Sequence, residues 1–135
     1  MPLHYVPPNV LPQVWETVAP LLQKAIDLDP SAITIEQVEY FIRTGKTFLL
    51  VWEEPETGIT GAATVDFIDY PRQRVAHVNL MGGKGIVRNH VFEEAKTWMK
   101  NMGATTAQCW AKGTLVDMYT KMGMENTHQV MRIKL

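Results

Sequence analysis

The sequence predicts one α/β domain spanning residues 1–135, an α+β mixed sheet in which an antiparallel meander leads into a β-α-β unit with helices on both faces. Three observations predict it. Apolar residues recur at three- and four-residue steps through the first forty or so positions. Three runs rich in β-forming residues then follow one another across short turns. Finally the period returns to helical, giving helix, strand, helix and strand up to the C-terminus.

Each element has its own warrant. Residues 1–10 hold three prolines and read as an extended arm or first edge strand. Leu11, Val14, Trp15, Val18, Leu21, Leu22, Ala25 and Ile26 form one apolar stripe. Pro20 inside it removes a backbone donor, so a kink or a split is expected there. Thr34 with Gln37 makes a capping box for a second helix facing Ile35, Val38, Phe41 and Ile42, which Gly45 ends. Thr47 to Trp52, Ile59 to Asp69 and Arg74 to Met81 read as three strands, joined at Glu53–Gly58 and Tyr70–Gln73. Val87, Val91, Phe92, Ala95, Trp98, Met99 and Met102 fit a helix stopping at Gly103. Thr105 to Ala111 is a strand, and Leu115, Met118, Tyr119 and Met122 face a short helix ending at Gly123. Met131, Ile133 and Leu135 alternate with Val130, Arg132 and Lys134 as in a half-buried final strand.

Composition narrows the function classes. Apolar residues make up 46% and charged residues 20%, with a net charge of −1, so no basic field points to nucleic acid or an anionic membrane. No run approaches the ~18 consecutive apolar residues of a membrane span. The N-terminal residues lack the basic and apolar regions of a signal peptide. A single cysteine, Cys109, forms no internal disulfide, and a reducing, cytoplasmic setting is expected. His4, His77, His90 and His128 show no metal-ligand spacing, so no metal is expected.

Met81-Gly82-Gly83-Lys84-Gly85-Ile86 lies between a strand and a helix. Three glycines in four residues free the backbone to approach a ligand, and amides at a helix N-terminus favour an anion such as a pyrophosphate. A turn that merely needs glycine is the other reading of the same residues. Tyr119, on a helix just after a strand, is a phenol suited to protonating a thiolate, though it also continues an apolar face. Asp66 lies mid-strand, and His77 and Asn79 alternate with Ala76, Val78 and Leu80, so one face of the third strand carries polar groups. These are the candidate bases. Cys109 reads as core, since no partner makes it a nucleophile.

Taken in order, the Val14-Trp15 helix opening, Asp69-Tyr70-Pro71-Arg72, Asn79-Leu80-Met81-Gly82-Gly83, the Phe92–Gly103 helix, Lys112-Gly113 and the Tyr119–Met124 end resemble the GNAT superfamily of acyl-CoA N-acyltransferases. Small phage-encoded GNAT-like proteins are the group it most resembles. The resemblance implies a GNAT-like fold and acetyl-CoA as co-substrate. It places the pantetheine arm and pyrophosphate on Leu80, Met81 and Gly82, then Gly83, Lys84, Gly85 and Ile86, with Tyr119 as general acid. It implies a small-molecule or protein amine as acceptor, and leaves open a homodimer or a virion protein.

Two departures stand out. The superfamily's pyrophosphate signature is Arg or Gln, two residues, Gly, one residue, then Gly or Ala. Anchoring it on Gly85 leaves Gly82 in the first place and Val87 in the last, and anchoring it on Gly83 leaves Leu80 in the first. Lys112 stands where an asparagine often precedes the tyrosine. Two functions therefore remain open: an N-acetyltransferase in the cell or phage host cytoplasm, and a non-catalytic, virion-associated or host-directed interaction protein. On the enzyme reading, Gly83→Val is expected to abolish binding and spare the fold.

Overall fold

The β-forming runs between residues 47 and 83 become three long strands, and the rest of the molecule is built on them. The computed structural model describes residues 2–86 and 90–135. Strand β1 (Leu3–Val6) leads into helices α1 (Leu11–Ile26) and α2 (Ile35–Arg43). Strands β2 (Phe48–Glu54), β3 (Gly58–Tyr70) and β4 (Gln73–Gly83) follow, then helix α3 (Val91–Asn101), strand β5 (Thr106–Cys109) and helix α4 (Thr114–Lys121). The sheet order is β1-β2-β3-β4-β5. The first four strands pair antiparallel, and β5 pairs parallel to β4, with α3 as the crossover between them.

The period-2 pattern assigns the faces. Leu49, Val51, Ala62 and Leu80 pack with Val18, Leu22, Val38 and Ile42 of α1 and α2. Leu50, Val65 and Ala76 meet Met99 and Trp98 of α3 on the opposite face. Two bulges interrupt the ladders. Thr64 pairs with Leu80 and Val65 with Val78, so Asn79 is the extra residue in β4. Likewise Trp52 pairs with Gly61 and Glu53 with Ile59, leaving Thr60 extra in β3.

The helix ends follow the expected chemistry. Thr34 Oγ1 accepts from the Gln37 amide at 3.2 Å, and the Gln37 side chain accepts from the Thr34 amide at 3.0 Å. Beyond α2 the Lys46 amide reaches back to the Phe41 carbonyl at 2.9 Å, with Gly45 at φ 81°.

Several expectations are corrected. Helix α1 runs through Pro20 without splitting, because the proline lies on the exposed side, where water can serve the Glu16 carbonyl it leaves free. The third strand extends to Gly83, taking in two residues expected in a loop. The next helix begins at Val91; the expected start, Val87, lies outside the described residues. The C-terminal segment forms no strand. Met131, Ile133 and Leu135 are exposed at 90%, 85% and 113%, because alternation alone makes no strand without a neighbouring ladder.

Candidate active site

A row of polar side chains crosses the sheet on the face that carries α1 and α2. Asp66 of β3 pairs with His77 of β4, and His77 pairs with Gln108 of β5. Thr47, just before β2, donates its hydroxyl to Asp66 Oδ1 at 2.6 Å. Gln108 Nε2 lies 3.0 Å from His77 Nδ1, and an amide nitrogen only donates, so Nδ1 accepts and the imidazole proton sits on Nε2. Burial pulls the His77 pKa below its ordinary 6.5, and the nearby Asp66 charge opposes the shift. His77 is thus held neutral with its lone pair engaged, whereas the second oxygen of Asp66 is not the one Thr47 holds. Asn79 does not continue this row. As the bulged residue it flips the alternation, and Leu80 takes the place on the α1 face that Asn79 was expected to hold.

The pairing of β4 with β5 ends at Val78 and Cys109, one residue before the bulge. From Asn79 to Gly83, β4 keeps β3 on one side and, among the described residues, has no strand on the other. That side of Asn79 to Gly83 is a gap in the β4–β5 ladder. Tyr119 of α4 lies close enough to Cys109, the last paired residue of β5, to feel its charge. Burial first, and Cys109 second, push the phenol pKa up to about 12, so it keeps its proton at neutral pH. Burial also pushes the Cys109 thiol up. Trp110 meets the His77 ring edge-on at 5.2 Å.

At the far end of the gap, about 13–17 Å along the strand from Val78 at ~3.3 Å per residue, lies the glycine turn. Its glycines divide into two kinds. A Cβ at Gly82 would overlap the Leu21 carbonyl oxygen of α1, and a Cβ at Gly83 would overlap Thr60 O and Gly61 Cα of β3. These two serve the chain's own packing, so Gly83→Val should strain the β3–β4 ladder itself, a cost that the expectation of an intact fold left out. A Cβ at Gly85, where φ is 88°, would meet only ordinary contacts, Glu54 Oε1 at 3.4 Å and Trp52 Nε1 at 3.9 Å. Lys84 is exposed. The first turn of α3 carries Glu93 and Glu94, and Glu94 Oε1 accepts from the Leu3 amide at 3.2 Å.

Among the described residues no three His, Cys, Asp or Glu side chains cluster to hold a metal, and no helix is long and apolar enough to cross a membrane.

No family model matches the sequence, and no curated protein matches it by sequence. Solved structures do match in shape. A probable acetyltransferase superposes with a TM-score of 0.71 at 15% identity, covering 100% of this chain and 97% of the other. An aminoglycoside acetyltransferase from an uncultured soil metagenomic sample, in complex with sisomicin, gives 0.70 at 12% over 98% and 93%. Glucosamine-6-phosphate N-acetyltransferase from Arabidopsis thaliana gives 0.65 at 16% over 98% and 96%. The chain has the GNAT acetyltransferase fold.

Within this GNAT fold the sequence-predicted residues gather at two places. Asp66 and His77 lie side by side on one face near the end of the β4–β5 pairing, Tyr119 lies near Cys109 at that end, and Leu80 to Ile86 follow along β4 to the turn. Sequence reasoning missed Thr47, Gln108, Thr60 and Trp52. Thr47 and Gln108 were legible only through register, as the polar residues that continue the Asp66–His77 row.

Proposed function

We propose that this protein is an acetyl-CoA-dependent N-acetyltransferase acting on a primary amine. The observation that carries the reading is the gap between β4 and β5, which opens at a bulge beside a protonated tyrosine and ends at a glycine turn. Its length suits an extended pantetheine arm lying along Asn79 to Gly83, with the thioester near Val78 and Tyr119 and the pyrophosphate at Gly85. The donor set fits such a substrate: free strand-edge amides for the arm's amide groups, and turn amides with Lys84 for the anion.

The amine nitrogen forms a bond to the thioester carbonyl carbon, and the carbon–sulfur bond breaks. Tyr119 gives its phenol proton to the departing sulfur. The burial that raises the phenol also raises a thiolate seated beside it, as the Cys109 thiol shows, so the two pKa values stay closer than in water. Once bonded to the carbonyl carbon the nitrogen is acidic, and Asp66 Oδ2 takes its proton. Thr47 holds the other oxygen of that carboxylate, and His77 accepts a proton itself only after Gln108 turns away.

A second reading is a non-catalytic GNAT-fold interaction protein, virion-associated or host-directed in a phage. It is favoured by the use of Gly82 and Gly83 for internal packing and by the acidic first turn of α3. Calorimetric titration with acetyl-CoA separates the two. Saturable heat and amine-dependent release of free thiol are expected. A folded sample giving no heat at millimolar acetyl-CoA would overturn the enzyme reading in favour of the second.

A further inference from the structure

We infer that Trp52 is a positioning residue that aims the Gly85 amide at the bound anion, an inference that rests on the acetyltransferase reading for the identity of that anion. Trp52 is 2% exposed, and its indole Nε1 donates to the Lys84 carbonyl at 2.6 Å. The ring lies across Gly61, where any Cβ would run into it. The sequence thus reserves the space that lets a strand β2 side chain reach the turn after β4.

The other end of Lys84 is fixed as well. Its amide donates to the Thr60 carbonyl at 3.0 Å, and Thr60 is the bulged residue of β3. The bulge lies on the β2 side of β3, and on the other side this bond continues the β3–β4 pairing one step beyond Gly61 and Gly83. Gly83 at φ 101° and Gly85 at φ 88° flank Lys84 and let the chain reverse between its two anchors.

One consequence follows from peptide geometry. The Lys84–Gly85 bond is trans, so the Lys84 carbonyl and the Gly85 N–H point in opposite directions within one peptide plane. The carbonyl points inward to the buried indole, and the Gly85 N–H therefore points outward. An indole proton at the base of the turn decides where the ligand-facing donor aims. Removing that proton leaves the Lys84 carbonyl without its partner and frees the peptide to rotate.

The test is Trp52→Phe, which keeps an aromatic ring and removes the indole donor together with the part of the ring that lies over Gly61. Loss of one oriented hydrogen bond predicts acetyl-CoA binding weaker by roughly five- to tenfold. KM for acetyl-CoA should rise by the same factor with kcat unchanged, and the Gly85 amide should exchange with solvent faster. Unchanged affinity and unchanged Gly85 exchange would overturn the inference. A wild type that binds no acetyl-CoA overturns the enzyme reading and the ligand side of this one; Gly85 exchange still tests the positioning separately. Should the variant fail to fold, the wild type suffices. The Trp52 indole proton must exchange more slowly than that of Trp110, which is 66% exposed, and equal rates would overturn the anchor.

Discussion

Tyr119 concentrates the proposed chemistry in one hydroxyl group. With its pKa at about 12 the phenol stays protonated across the pH range in which the protein would work. Tyr119→Phe keeps the packed ring and removes the proton. Acetyl-CoA binding should stay at the wild-type value while kcat falls by roughly 10²–10⁴. A variant turning over within about twofold of wild type would assign the tyrosine to packing alone. His77 makes a different statement, about stability. Its folded pKa lies below the ordinary 6.5 of the unfolded chain, so the unfolded state binds the proton more readily. The stability associated with neutral His77 is complete above pH 6.5 and is lost as the pH falls from there through the folded pKa. Protonating Nδ1 would also turn away the Gln108 donor that now serves it. Thermal midpoints at pH 7.5 and pH 5.5 should therefore differ less in His77→Gln than in the wild type. An equal drop in both proteins would place the pH sensitivity elsewhere.

At the level of elements, the sheet owes its site to two extra residues, Asn79 and Thr60. Neither was legible in the sequence. A bulge adds one residue to an alternating run without the proline or glycine that marks a turn, so the pattern looks merely imperfect. The same blindness made Gly82 and Gly83 look like loop, when both belong to β4 and are glycine because other parts of the chain come close. By contrast, the capping box at Thr34 and the hairpin turns were legible, since each depends on residues within a few positions of one another. The close approach at Gly82 can be measured. Gly82→Ala places a methyl group against the Leu21 carbonyl, and α1 must move off the sheet to admit it. Urea denaturation should show a loss of about 1–3 kcal/mol, typical of overpacking in a tight contact. A loss below ~0.5 kcal/mol would mean that α1 does not rest on β4 at this point.

For the molecule as a whole, the core lies between the sheet and helices α1 to α3, and the C-terminal segment stands apart from it. Val18, Leu22, Ile42, Leu49, Leu50, Val65 and Val91 are among the most deeply buried side chains, and all of them precede residue 92. Helix α4 contributes no fully buried residue, although Tyr119 and Met118 are half-buried. After Met124 every residue is exposed, and the segment is tied back where Arg132 Nη2 donates to Asp29 Oδ2 at 3.1 Å. The Ser31 hydroxyl first, and then Arg132, hold the Asp29 carboxyl below its usual range, yet the ion pair lies at the surface, where solvent and salt weaken it. The alternation of Met131, Ile133 and Leu135 is strand chemistry without a ladder, and β5 ends the sheet with its outer edge unpaired among the described residues. A chain ending at Met124 should accordingly fold with a thermal midpoint within ~4 °C of the full-length protein, since it loses little buried area. Its affinity for acetyl-CoA should be unchanged, because the gap, the tyrosine and the glycine turn all precede the cut. A fall of more than about 10 °C would show that the segment pairs with a sheet edge in solution, and that the alternation read in the sequence was a strand after all.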